Sequence, residues 1–291
     1  MFLAHVPLQT TLRASWNYAG FGLFSGQQCS IRLLPAPVNF GIVFRRVDLP
    51  GKPEIPVSLE FLAEGKRCTR LVRGDASVQM VEHLLAALRA SGVDNAIVEI
   101  TGPEVPMSDG SSQEFVRLIE VAGIQTLSAP RKFIRIEQPL YWSEGNVHLV
   151  ALPGSGSRFS YTLHYPHSPA IRSQYYSCML SPALFKSDIC MCRTFSLYEE
   201  IASMAEQGLL KGGGLENGVV IQGSQVLNPG GLRFADEPVR HKILDLIGDL
   251  ALLGAPIEGH VLAVCSGHAS NAAFAKEIAK HWQLAAVMEN C

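Results

Sequence analysis

The chain has 291 residues, which at about 150 residues per domain predicts roughly two domains. Hydrophobic residues make up 47% and charged residues 17%, a globular composition that excludes a disordered chain. Against 26 Asp and Glu stand 24 Lys and Arg, a formal charge of −2, so no basic surface for general nucleic-acid binding is expected.

The most apolar stretch, 243–257, is interrupted by Asp245 and Asp249 and falls short of a bilayer span, so no stable membrane insertion is expected. The opening MFLAHVPLQTTLRASW lacks a basic segment followed by a long apolar run, and no secretory signal is expected. The seven cysteines (29, 68, 178, 190, 192, 265 and 291) are scattered and form no CxxC pair. They fit a reduced, cytoplasmic chain with free thiols.

The first third reads as β-rich, with short apolar runs at 31–34 and 41–46 bounded by Pro, Asn and Gly. Val78, Val81, Leu84, Leu85 and Leu88 recur at helical spacing and predict a helix over 78–89, stopped by Gly92. A strand is predicted over 96–101 and a second helix over 113–121, after the turn-like Ser108-Asp109-Gly110. Residues 196–207 read as a helix followed by Gly208-Leu209-Leu210-Lys211-Gly212-Gly213-Gly214. This region, 190–221, reads as a βαβ insertion, either a lid over an apolar ligand or a helix packed on its own domain. A helix over 238–253 opens on Pro238, with Asp236 and Glu237 near its positive end. Gly254 stops it; a strand over 261–265 and a helix over 271–281 follow.

Helix, Gly, strand, Gly, helix thus occurs twice. His83 precedes Gly92 by nine residues and Asp245 precedes Gly254 by nine. The reading is an α+β protein of two similar domains, 1–127 and 128–291, joined near Ser128-Ala129-Pro130. The repeat places His83 and Asp245 at equivalent positions facing a shared interface, a common place for ligand sites.

The helix after Pro238 carries His241, Lys242, Asp245 and Asp249 in an otherwise apolar run. At about 100° per residue, His241 and Asp245 lie about 40° apart and Asp249 about 80° from His241. Carboxylates facing a core are costly unless paired or bound to metal. An i, i+4 His–Asp pair can chelate one ion; it is equally at home on a solvated face. Glu82-His83, taken alone, reads as a surface pair. The two helices together supply His83, His241 and Asp245, three ligands that leave a fourth position open on zinc. Glu82 is then placed to take a proton from water. Asp249 can orient His268, in Ser266-Gly267-His268, which can give a proton to a leaving amine. Lys242 and Thr194 are candidate donors to an oxyanion.

These residues, in this order, resemble the UDP-3-O-acyl-N-acetylglucosamine deacetylase (LpxC) family, zinc amidases that commit lipid A synthesis. The likeness runs through Gly20 to Gly26 (GFGLFSG), Leu34-Pro35-Ala36-Pro37, Val81-Glu82-His83-Leu84 and Gly92-Val93-Asp94-Asn95. It continues in Pro103-Glu104-Val105-Pro106, Asp109-Gly110-Ser111, Arg193-Thr194-Phe195, the run from Leu227 to Leu250, and Ser266-Gly267-His268.

The resemblance implies zinc on His83, His241 and Asp245, Glu82 as general base, His268 as general acid and Asp249 as its partner. It implies that Thr194 bonds the oxyanion with Lys242 nearby, that Phe195 packs on the substrate, and that Cys68 lies at the site entrance. It also implies a sheet with two helices in each domain, facing helix layers, an insertion in each domain, and an acyl passage in the 190–221 insertion. The substrate would be a small amphiphilic UDP-sugar, bound in the cytoplasm. Two positions depart from the family pattern. Phe24 stands where the family has His, and Pro166-His167-Ser168-Pro169 makes a turn one residue longer. No lysine stands near Asn146-Val147-His148 to meet the diphosphate.

The runner-up reading is a zinc amidase on another N-acyl amino sugar. A non-catalytic relative is disfavoured because Glu82, His83, His241 and Asp245 are all present. A His₂Asp set serves iron(II) as well as zinc.

Overall fold

The computed structural model describes residues 7–288; Cys291 and the first six residues of the opening segment lie outside the described residues. The helices are α1 (Glu82–Ala90), α2 (Gln113–Ala122), the single turn α3 (Pro182–Leu184), α4 (Tyr198–Glu206), α5 (Glu237–Leu250) and α6 (His268–Met288). With five sheets alongside them, the fold is mixed α+β, as expected.

Two five-strand paths carry the architecture. The first runs Trp16–Phe21, Gln28–Pro35, Ala96–Thr101, Ile42–Arg46, Glu54–Pro56. The second runs Leu140–Glu144, Val147–Leu152, Ile257–Val264, Ser157–Tyr165, Arg172–Met179. In each, the third and fourth strands are parallel and the other pairs antiparallel. In each, the third strand is the one that follows a helix and glycine and precedes the next helix. The helix–Gly–strand–Gly–helix repeat read in the sequence therefore reappears as a repeat of sheet order.

Strand alternation explains the layering. Ala96–Thr101 and Ile257–Val264 both alternate buried and half-buried residues, which turns one face of each sheet to its helices. Every residue of α1 is buried, which requires partners all round. One partner is α5. Their axes approach closely because Gly248 has no side chain: a Cβ there would lie 2.1 Å from the Glu82 carbonyl oxygen. This contact brings the helix bearing Glu82 and His83 against the helix bearing His241, Asp245 and Asp249.

At four places the structure adds to or differs from expectation. The first helix begins at Glu82, not Val78, because Ala76–Gln79 is a strand and Met80 turns the chain with a left-handed backbone (φ 61°). Gln79 is held there by its backbone bonds to Pro103 and Val105. Phe195–Leu197 is a strand rather than the start of a helix, and α4 follows it. That strand pairs parallel with Val219–Gln222 across α4, so the segment is a βαβ unit. Ser128-Ala129-Pro130, read as the junction between domains, ends the strand Ile124–Pro130, which pairs antiparallel with Leu8–Leu12. The last helix starts at His268, three residues earlier than the apolar pattern indicated.

Candidate metal centre and proton-handling groups

α1 and α5 present His83, His241 and Asp245 to one another with one ligand atom of each within 4.8 Å of the others. His241 Nε2 lies 3.2 Å and His83 Nε2 3.6 Å from Asp245 Oδ1. The two rings meet edge to face, centroids 5.0 Å apart. His241 Nδ1 donates to the Cys192 carbonyl at 3.0 Å, which leaves the Nε2 lone pair directed at the cluster.

The charge state suits a cation. Burial alone would raise the Asp245 carboxyl, but His241 and the Lys242 ammonium hold it well below the usual carboxylate range. Burial lowers the His83 ring below its ordinary value, with Asp245 working the other way. Lys242 Nζ donates to Asp245 Oδ2 at 2.8 Å, while the buried Oδ1 has no hydrogen-bond partner. An orphaned carboxylate oxygen facing two imidazole nitrogens is costly without a ligand. The donor set fits a single divalent ion, zinc or iron(II).

Beside this cluster lies a second group, in which Glu82 and Asp249 are buried and His268 is part-exposed. Glu82 Oε2 accepts the Thr69 backbone N–H at 3.0 Å, and Oε1 lies 3.9 Å from His268 Nε2. Burial raises the Glu82 carboxyl to about 7, Asp249 and Asp245 adding to the rise and His268 opposing it. His268 sits at the start of α6 with Nδ1 2.9 Å and 3.1 Å from the two oxygens of Asp249. Burial works against the charged ring of His268, but Asp249 outweighs it by charge and hydrogen bond and raises the ring to about 9. An acid and a base with separated values thus face one another across about 4 Å, an arrangement suited to proton transfer.

Both groups open on a cavity of about 1060 Å³. Glu82, His83, His241, Lys242, Asp245 and His268 line one end, with Thr194 and Phe195 on the wall. Phe195 packs edge-on to Tyr165, centroids 5.8 Å apart. The rest of the wall is mixed: Leu23, Phe24, Ile201, Met204, Leu210 and Leu215 give it apolar surface, and Arg67, Glu144, His164, Glu200 and Asn217 line it too. Asp249 does not line the cavity but stands behind His268.

Cys68 departs from expectation. Its flanking residue Arg67 reaches the cavity, but Cys68 itself is buried and does not line it. Burial pushes its thiol up to about 12. Cys68 lies in a bend between the strands Leu62–Ala63 and Arg70–Arg73, just after Arg67 with its left-handed backbone (φ 57°).

Other polar groups that hold the site had no local signal. Glu237, read only as a helix-start acid, pairs with Arg193 at 2.9 Å and also accepts the Arg193 and Arg233 backbone N–H groups. This ties the segment carrying Thr194 to the first turn of α5. Glu104 is buried and accepts the backbone N–H of Phe24 at 2.8 Å and of Ser25 at 3.1 Å. It fixes the loop that puts Phe24 in the cavity wall. The adjacent loop packs tightly on it, since a Cβ on Gly212 would lie 2.1 Å from the Gly22 carbonyl oxygen.

The fold and this cluster define an α+β protein with a buried site able to hold one metal ion beside an acid–base pair. Residues 9–280 match the UDP-3-O-acyl N-acetylglycosamine deacetylase (LpxC) family, and the chain belongs to it. Curated relatives named UDP-3-O-acyl-N-acetylglucosamine deacetylase include one from Chlamydia pneumoniae, 45% identical over 95% of this chain and 98% of that protein. Another, from Chlamydia abortus, is 47% identical over 93% and 96%. A third, from Chlamydia trachomatis serovar L2, is 42% identical over 93% and 94%.

Proposed function

We propose that this protein hydrolyses the acetamide of a UDP-3-O-acyl-N-acetylglucosamine, releasing acetate and a free amine, with zinc on His83, His241 and Asp245. The observation that carries the reading is the orphaned Asp245 Oδ1, aimed at two imidazole nitrogens beside the facing Glu82 and His268. When bound, the ion supplies Lewis acidity toward water and the amide carbonyl.

The chain's residues do the rest. The Glu82 carboxylate takes a proton from the attacking water as its oxygen bonds the carbonyl carbon. The His268 imidazolium, held by Asp249, gives its proton to the amide nitrogen as the C–N bond breaks. Thr194 Oγ and Lys242 Nζ stabilise the oxyanion. Phe195 bears on the sugar, and the apolar wall from the 190–221 insertion takes the acyl chain. Among the described residues no helix is long and apolar enough to cross a membrane.

The test is acetate release from UDP-3-O-acyl-N-acetylglucosamine by purified protein before chelation, after it, and after metal return. Release that is lost and then restored by zinc supports the reading. Restoration by iron(II) alone reassigns the ion. No release from folded, zinc-loaded protein sinks the assignment of substrate.

The acid–base pair predicts a pH profile. Glu82 must be ionised and His268 protonated, so kcat/KM should rise through about 7 and fall through about 9. Asp249 is what raises His268, so Asp249→Asn should carry the basic limb down toward the ordinary histidine range near ~6.5. A basic limb that stays in place would remove His268 from the role of acid.

A further inference from the structure

The Thr69 side chain touches neither the cavity nor the metal cluster, yet it joins the two carboxylates that handle protons. Its backbone N–H donates to Glu82 Oε2 at 3.0 Å, and its hydroxyl donates to Asp249 Oδ1 at 2.5 Å. An ionised carboxylate only accepts, so the hydroxyl hydrogen is committed to Asp249. Asp249 is held from its other side by Asn271 Nδ2 at 2.8 Å and by His268 Nδ1. All of Thr69, Glu82, Asp249 and Asn271 are buried, so no water can replace a lost donor without rearrangement.

Glu82 belongs to α1 and Asp249 to α5. Thr69 lies on a third segment, just before the strand Arg70–Arg73. One residue therefore sets the spacing of two carboxylates carried by different helices. With its hydroxyl removed, Oδ1 of Asp249 keeps only its share of the His268 contact, and the carboxylate is free to pivot about the Asn271 bond. The His268 ring, fixed through Nδ1, turns with it, and Nε2 moves off the line toward Glu82.

We propose that Thr69 is a positioning residue that holds Glu82 and the Asp249–His268 pair in reacting register through its N–H and its hydroxyl. This assignment rests on the proposed deacetylase reading for its kinetic test.

Thr69→Val keeps the backbone donor to Glu82 and removes only the hydroxyl. It should lower kcat by about 10–100-fold, the usual effect of losing an outer partner of a catalytic group, with KM and bound metal unchanged. Thr69→Ser, which keeps the hydroxyl and loses a packed methyl, should restore kcat to within a few-fold. A residue needed only for packing would behave the other way round, Val being tolerated and Ser not. The proton on His268 Nδ1 supplies a readout independent of turnover. Its downfield NMR signal should be sharp in the parent and in Thr69→Ser, and broadened or lost in Thr69→Val. Val with near-parent kcat and an unchanged Nδ1–H signal overturns the proposal. If the parent releases no acetate, the deacetylase reading falls, and the Nδ1–H signal alone still decides the Thr69 assignment.

Discussion

Glu82→Ala is expected to leave bound metal unchanged and to lower kcat by about 10²–10⁴-fold, the range for loss of a general base. Glu82 is one residue from His83, but its carboxylate is not among the His83, His241 and Asp245 atoms that gather within 4.8 Å; it accepts from Thr69 and lies beside His268. Deleting it removes no ligand. It strips the Thr69 N–H of its acceptor, at about 1–3 kcal/mol for an unsatisfied buried donor, which a protein of this size survives. Glu82→Gln separates proton transfer from packing. The amide keeps the shape and an acceptor oxygen for Thr69 but has no basicity at neutral pH. Equal losses in Ala and Gln, with full metal by elemental analysis, place the effect in proton transfer. If Gln keeps the rate, or if metal falls in step with activity, Glu82 is not the base.

Gly248→Ala is expected to be among the most damaging single methyl additions in the fold. The added Cβ would lie 2.1 Å from the Glu82 carbonyl oxygen, 2.7 Å from its carbonyl carbon and 3.0 Å from its Cα. These are backbone atoms of a buried helix and cannot swing aside. Either α1 separates from α5 or the protein opens. Overpacking of this kind costs about 1–3 kcal/mol and sometimes more, several degrees in Tm for a chain of this size. Separation of the helices also pulls His83 from His241 and Asp245, so metal affinity should fall with stability. Gly154→Ala is the control, because its Cβ would meet nothing nearer than 3.8 Å. Unchanged Tm and metal binding in Gly248→Ala would show that the helices are not held at this contact.

Much of this site was legible because its key residues share local periodicity. His241, Asp245 and Asp249 fall on one stripe of one helix, and 3.6 residues per turn is enough to predict that. The same arithmetic failed at Val78. It and Val81 are both buried, but Val78 is on a strand and Val81 precedes the helix, with left-handed Met80 between them. A spacing of three does not tell a helix from a strand followed by a turn. Backbone handedness at a methionine leaves no mark in composition.

The glycine-delimited repeat was legible for a different reason. Gly92 and Gly254 both end helices with positive φ, and that punctuation is local even where the sheets are not. The supporting contacts were hidden because they are long-range. Thr69 meets Asp249 across 180 residues of sequence, and Arg193 meets Glu237 across 44. A threonine beside a cysteine, or a glutamate at a helix start, carries no sign of such a partner. Cys68 shows the converse. The resemblance put it at the site entrance, but its side chain is buried and does not line the cavity.

The contact of Gly248 with the Glu82 backbone has a consequence for how the protein is made. One metal-facing donor emerges from the ribosome in the first third of the chain, and the other two only past residue 240. Until α5 is complete and docked, α1 carries Glu82, His83 and Arg89 on a surface meant for the interior. An ion captured by the finished cluster binds the folded chain and not the nascent one. At a thousandfold excess over its dissociation constant it would favour the folded state by about 4 kcal/mol. Metal supply would then act as a checkpoint on assembly, since a chain whose two helices fail to dock cannot retain the ion and stays open to proteolysis.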